Sequence, residues 1–339
     1  MRIKNFEISS KNPFIVAEIS GNHNGKLSIL KKTILAAKNC GVDAVKLQSY
    51  EPGDLTLNVK KNSFKIRNVS NKWKNKYLHD VYSKGQTPMK WHKNIFSFCK
   101  KKKILCFSSP FSERTVEFLE KLNCPAYKVA SLEITNLQLL RKLAKTKKPV
   151  IISTGAASIK EIKNALKIFK NKKNIALLKC TVDYPCKNAD ANINSIETLK
   201  KVFKNIKIGF SDHTEDPLAA IVAISKGACI IEKHFIISRK INSVDNFFST
   251  DKNNMKSFVY LCKQTPKVLG NYMLKPNKNE IKSLKYRRSI FVSSKINKGE
   301  VITKKNIKIV RPATGSPLKM YDKVLGKIAK KSYFPGDKI

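Results

Sequence analysis

Short apolar runs alternate along this chain with stretches of helical period. Eight of the runs read as buried strands: "FIVAEIS" (14–20), "AVKLQS" (44–49), "ILCFSS" (104–109), "AYKVAS" (126–131), "VIISTG" (150–155), "IALLKC" (175–180), "KIGFSD" (207–212) and "CIIEKHF" (229–235). Helical spacing occupies 27–40, 90–102, 112–122, 136–146, 158–171, 195–204, 216–226 and 255–269. Continuous apolar strands followed by helices predict a parallel sheet covered on its outer face. Eight such units fit a (β/α)8 barrel, which takes about 250 residues. A doubly wound open sheet is the alternative, but no G-x-G-x-x-G follows the first strand.

Two regions break the rhythm. Residues 51–89 form a long excursion after the second strand, and a segment of that length in a compact domain is a functional lid or a cover. From about 271 a polar stretch leads into short β-like runs with a turn at "NKGE". We therefore expect a barrel over 1–270, a linker over 271–283 and a small β-rich domain over 284–339.

Polarity concentrates at the C-terminal ends of the strands. There the chain carries Glu18, Lys46 with Gln48, Ser108 with Ser109, Lys128 with Ser131, and Ser153 with Thr154. It continues with Lys179 and Thr181, Ser211 to His213, and Glu232 with His234. In a barrel those ends converge on the one face where chemistry is done. Any one of these residues alone is explained as a strand-end hydrogen bonder; all eight strands carrying one points to a shared cavity.

Composition narrows the function. The formal charge of +44 invites a nucleic-acid reading, yet arginine stands at only eight positions and lysine, spread over the whole chain, supplies the rest. No zinc-finger spacing, RRM signature or basic zipper accompanies it, so the charge predicts non-specific attraction at most and suits anionic small substrates better. The eight cysteines form no C-x-x-C pair and sit in apolar stretches, as free buried thiols do. No window reaches the roughly 18 apolar residues of a membrane span, and the opening "MRIKNFEISSKNPF" lacks a signal-peptide core, so a cytoplasmic location is expected.

His213 and His234 end adjacent predicted strands, so a barrel brings them together at its mouth. Neutral imidazoles ligate divalent metals, and two of them leave positions open for water or substrate oxygens; two ordinary strand-end histidines are the alternative. A serine-triad reading of "SDH" fails, because three consecutive residues cannot reach relay geometry. His23, in "GNHNG", reads as a loop-ordering residue.

"AEISGNHNG", "AVKLQSYEP", "FSSPFS", "AYKVASLEI", "STG", "LLKCTVDYP", "GFSDHT" and "IEKHF", in this order, resemble the sialic acid synthase family. The C-terminal "YRRSIFVSSKINKGEVITKKNIKIVRP" and "VLGK" resemble its appended antifreeze-like (SAF, β-clip) domain. The resemblance implies condensation of phosphoenolpyruvate with an N-acetylated aldose, giving a nine-carbon 2-keto acid and phosphate. "TPMKWHKNIF" and "YRRSIFV" are most similar to the branch whose aldose is 2,4-diacetamido-2,4,6-trideoxy-L-altrose, with N-acetylneuraminate or legionaminic acid synthesis as the alternative.

The resemblance also implies residue roles. Lys46, Ser109, Lys128, Ser131, Ser153 and Ser211 would surround phosphoenolpyruvate; His213 and His234 would hold a divalent metal, Mn²⁺ first and Mg²⁺ or Co²⁺ as alternatives. Glu18 matches the essential carboxylate, for proton transfer or oxocarbenium stabilisation, with a structural partnership to Lys46 as the other reading. Gln48, Tyr184, Glu232 and Asp245 would take the sugar. Arg311, in "RPATG", would reach the partner's site in a domain-swapped homodimer. The chain departs from the family pattern at Ser243-Val244, usually Gly-Pro, at Ala313, usually Gly, and at Ala156, usually Met.

Overall fold

The computed structural model describes residues 1–67, 69 and 71–339. They form two compact units, Met1–Gly270 and Asn271–Ile339. A short hairpin opens the first unit, with β1 at Arg2–Ile3 and β2 at Phe6–Glu7. The sequence pattern had suggested no strand there. Its buried Ile3, together with the Phe6 ring 4.8 Å from that of Phe14, covers the N-terminal end of the next strand.

Eight parallel strands follow: β3 (Phe14–Glu18), β4 (Ala44–Ser49), β5 (Leu105–Pro110), β6 (Tyr127–Val129), β7 (Val150–Ser153), β8 (Ile175–Cys180), β9 (Lys207–Asp212) and β10 (Ile230–His234). They close into a barrel in which β10 pairs with β3. Most of the strand residues are fully buried, because the interior is filled by side chains and the outside is covered by helices. The helices are α1 (Leu27–Asn39), α2 (Leu78–Gly85), α3 (Met89–Lys101), α4 (Glu113–Lys121), α5 (Leu137–Lys145), α6 (Ile159–Lys167), α7 (Ser195–Val202), α8 (Leu218–Ser225) and α9 (Lys252–Leu269). Side-chain caps set several starts: Ser112 accepts from the Thr115 N–H, Ser158 forms a capping box with Glu161, and Asp251 caps α9. None of the described helices is long and apolar enough to cross a membrane. All eight cysteines are buried free thiols.

The excursion after β4 contains a helix that apolar periodicity did not single out, α2. Its far end is anchored where Gly85 meets Gly21 of the β3–α1 loop. A Cβ on Gly21 would lie 2.9 Å from the Gly85 Cα, so only glycine permits that approach.

The second unit holds α10 (Lys278–Ser283), an antiparallel pair, β11 (Ser289–Val292) with β12 (Ile307–Val310), and α11 (Tyr321–Val324). Ile290, Val292, Ile296, Ile302, Ile307 and Ala329 make its own small core. Arg311 follows β12 directly and is exposed.

Candidate active site

Side chains alternate along a strand, so the pleat decides which strand-end residues face the barrel interior. Glu18, Lys46, Lys128 and Glu232 face inward in one buried layer. The Lys46 ammonium contacts the Glu18 carboxylate, lies 3.6 Å from Glu232 Oε1, and donates to Ser109 Oγ at 3.1 Å. Lys128 Nζ lies 3.6 Å from the same Glu232 oxygen, to which Ser211 Oγ donates at 3.3 Å. Two carboxylates thus face two ammonium groups in a site without bulk water.

Burial and neighbours set the protonation of this layer. Burial pushes the Glu18 carboxyl up to about 7, against the pull of Lys46 and with a further push from Glu232. Burial works the other way on Lys46, yet Glu18 and Glu232 hold it above the ordinary lysine value. Lys128 is lowered by burial, only partly offset by Glu232. Burial works to raise Glu232, but the two lysines beside it prevail and hold it below the ordinary range.

One pleat step toward solvent, the strand ends and following loops place Gln48, Ser131, Tyr184, His234 and Asp245 around a cavity of about 410 Å³. That size suits a small-molecule site. Asp245 accepts from Ser20 Oγ and from the Gly21 N–H, and burial raises its carboxyl. The Tyr184 ring lies 4.2 Å, centroid to centroid, from His213. Ser131 Oγ accepts from the Gly155 N–H at 3.1 Å, and a Cβ on Gly155 would fall 2.8 Å from that oxygen.

His213 and His234 do meet, with ring centroids 5.5 Å apart. His213 Nδ1 lies 2.7 Å from the Thr181 carbonyl, which can only accept, so a proton sits on Nδ1 and Nε2 is the ring position left for a ligand. Burial, reinforced by His213 and the nearby lysines, holds His234 well below the ordinary histidine value, and its Nδ1 has no hydrogen-bond partner. Burial works to lower His213, but the Cys180 thiol and the Thr181 carbonyl beside it prevail and hold it above the ordinary histidine value. Once His213 gives up its Nε2 proton, the two rings would offer a divalent cation two nitrogens and leave its other positions open. Among the described residues no group of three or more His, Cys, Asp or Glu is arranged to enclose one. Buried polar atoms are normally paired. Here Ser153 Oγ and Glu232 Oε2 join His234 Nδ1 as buried atoms with no partner.

Not every strand-end polar residue lines the cavity, which corrects the expectation that Ser211 to His213 all do. Asp212 faces outward, where one oxygen pairs with Lys233 Nζ at 2.8 Å and the other holds the Thr214 N–H and hydroxyl. Lys179 also turns away, donating to Thr181 Oγ1 at 2.6 Å, while Thr154 donates to the Leu178 carbonyl. Arg311 lies in the second unit. Among the cavity residues that residue patterns missed are Ser20, Glu133 and Phe248. Glu133 had a readable signal, a carboxylate two residues beyond Ser131 in the same strand-end turn; Phe248, 4.8 Å from the His234 ring, had none.

Comparison with known proteins agrees with this geometry. The NeuB family profile matches residues 33–273 and the SAF domain profile residues 287–339. A pseudaminic acid synthase from Campylobacter jejuni is 41% identical over 339 residues, covering 99% of this chain and 98% of the relative. One from Helicobacter pylori is 42% identical and covers 94% of each. The crystal structure of an N-acetylneuraminic acid synthetase from Leptospira borgpetersenii, in complex with citrate, superimposes with a TM-score of 0.74 at 29% identity, covering 85% of this chain and 95% of that one.

Proposed function

Because this chain belongs to the NeuB family and ends in a SAF domain, we propose that it catalyses pseudaminic acid synthesis. It would condense phosphoenolpyruvate, 2,4-diacetamido-2,4,6-trideoxy-L-altrose and water, giving pseudaminic acid and phosphate. The observation that carries this reading is the buried Glu18–Lys46–Glu232–Lys128 layer, beside which Ser153 Oγ, Glu232 Oε2 and His234 Nδ1 lie unpartnered. A substrate rich in both anionic and donor groups supplies what those atoms lack.

Lys46 and Lys128 compensate the phosphate and carboxylate, with hydroxyl donors from Ser109, Ser131, Ser153 and Ser211. The layer is charge-balanced when empty, so the arriving anion competes with Glu18 for Lys46. A carboxyl already raised to about 7 is the group that takes up a proton as Lys46 changes partner. Glu18 then holds that proton for the reaction. C3 of the enol bonds to the aldehyde carbon, and the carbonyl electron pair goes to its oxygen, which is protonated. Water adds at the cationic C2 and loses a proton, and C–O cleavage expels phosphate. A divalent metal on His213 and His234, Mn²⁺ in our reading, would supply a Lewis acid for the aldehyde oxygen. Gln48, Tyr184, Glu232 and Asp245 hold the sugar's hydroxyl and acetamido groups.

We assign Arg311 to the sugar site of a second subunit, in a domain-swapped homodimer. Exposed Val268, Leu269, Tyr272 and Leu274 around the linker offer apolar surface that a second copy would cover. Phosphate release from phosphoenolpyruvate, with Mn²⁺ and a panel of acetamido sugars, tests the reaction; no release with the trideoxy sugar would overturn it. Mixing Arg311→Ala with His213→Ala subunits tests the swap. Recovered activity is expected, and none in demonstrated heterodimers would refute it.

A further inference from the structure

The cavity is two-sided. Its floor, made by strand ends and their loops, presents Ser20, Gln48, Ser131, Glu133, His234 and Asp245. Its roof comes from the excursion after β4 and presents Leu55, Ile66, Leu78 and Val81. On α2 the cavity-facing positions are Leu78, Val81, Tyr82 and Gly85, spaced i, i+3, i+4 and i+7 along one helix face. The opposite face carries His79, Asp80, Ser83 and Lys84. An amphipathic helix turns its apolar stripe to a core, yet none of the four roof residues joins the barrel core, and all are only partly buried. The stripe therefore faces the cavity.

Two polar side chains of the roof, Asn71 and Trp73, are already committed. Asn71 donates to the Tyr184 carbonyl at 3.2 Å and its side-chain oxygen accepts from the Trp73 N–H; Trp73 Nε1 donates to the Val244 carbonyl at 3.1 Å. These bonds latch the roof to the loops bearing Tyr184 and Asp245. What Leu55, Ile66, Leu78 and Val81 offer a ligand is methyl and methylene surface, with the ring and hydroxyl of Tyr82 beside it.

We propose that Leu55, Ile66, Leu78 and Val81 are specificity residues that select an aldose carrying methyl groups over a fully hydroxylated one. This rests on the proposed reaction. A 2,4-diacetamido-2,4,6-trideoxy sugar presents a C6 methyl and two acetamido methyls, whereas N-acetylmannosamine presents hydroxyls at the corresponding C4 and C6 positions. A hydroxyl driven against these four side chains loses water and gains no partner from them. Apolar pockets reject an added hydroxyl by about 10- to 100-fold, and that is the size of preference expected here.

The test compares kcat/KM for the two sugars in the wild-type chain and in Val81→Thr, Leu78→Asn and Ile66→Thr. Val81→Thr is nearly isosteric, and Ile66 lies outside α2, so at least one variant keeps the helix undisturbed. Wild type should prefer the trideoxy sugar by at least about tenfold. Each variant should lose about five- to tenfold of that ratio, through a higher KM for the trideoxy sugar, with the KM for phosphoenolpyruvate and the thermal midpoint unchanged. An unchanged ratio in folded variants overturns the roof's role and leaves the reaction standing. A wild-type preference for N-acetylmannosamine overturns the roof's role together with the choice of sugar. Turnover of neither sugar overturns the reaction itself, and this inference with it.

Discussion

Lys233→Met should unfold the barrel unit far more readily than a surface lysine substitution would. Lys233 and Asp212 are side by side on β10 and β9, on the outer face, with side chains 2% and 0% exposed. The ammonium donates to Asp212 Oδ2 at 2.8 Å, also contacts the Thr214 carbonyl, and lies 5.4 Å from the Phe258 ring centroid on α9. Exposed ion pairs contribute at most about 1 kcal/mol, but removing one partner of a buried pair costs about 3–5 kcal/mol because the other charge stays buried. Methionine restores most of the volume and none of the charge. With a urea slope near 3 kcal/mol/M, the midpoint should fall by about 1–2 M. Both tryptophans, Trp73 and Trp91, lie in Met1–Gly270, so tryptophan fluorescence reports this unit alone. The double variant Asp212→Asn/Lys233→Met removes both charges and should recover most of the loss, since neutral replacements of buried pairs are often tolerated. His213 and His234 each follow one of these residues directly. The single variant should therefore also weaken Mn²⁺ binding by about 10- to 100-fold, as loss of supporting contacts does at metal sites. A midpoint shift below about 0.3 M, or a double variant no more stable than Lys233→Met, would refute the argument.

Chelation should abolish phosphate release and Mn²⁺ should restore it, while folded His213→Ala and His234→Ala proteins should show neither activity nor Mn²⁺ binding by titration calorimetry; full activity in either would remove the metal from the reaction. Gly155→Ala places a methyl carbon 2.6 Å from Val182 Cγ2 and 2.8 Å from Ser131 Oγ, so it should displace Ser131 and raise the KM for phosphoenolpyruvate about tenfold, one lost hydrogen bond's worth. An unchanged KM would separate Ser131 from that substrate. His23 and His92 are buried and held down to about 4 from an ordinary 6.5, chiefly by burial. Between those values the unfolded chain binds more protons than the folded one. Stability should therefore be full above pH 6.5 and fall toward pH 4, by about 3 kcal/mol for each histidine. His92→Gln should flatten this acid limb, and an urea midpoint independent of pH across the window would contradict the assignment.

The barrel was legible because each strand is a nearly uninterrupted apolar run buried on both faces, and such runs need no knowledge of their neighbours to be read. The meeting of His213 and His234 was legible for a related reason: strands adjacent in sequence are adjacent in a parallel barrel, so two strand-end residues must approach. Other features depended on contacts that no local pattern encodes. Whether Asp212, Lys179 and Thr154 face the cavity or the helices is decided by the parity of the pleat, and one residue reverses it. Pattern alone grouped Asp212 with its site neighbours; tertiary packing gave it to Lys233, which sequence reading had passed over inside an apolar run. Helix α2 escaped notice because its apolar stripe has only Leu78, Val81 and Tyr82, and because its counterpart is a cavity and not another helix. The raised carboxyl of Glu18 has the same origin. It follows from the barrel's exclusion of water and from Glu232 arriving on another strand, which together outweigh the pull of Lys46, and neither condition exists until the sheet has closed.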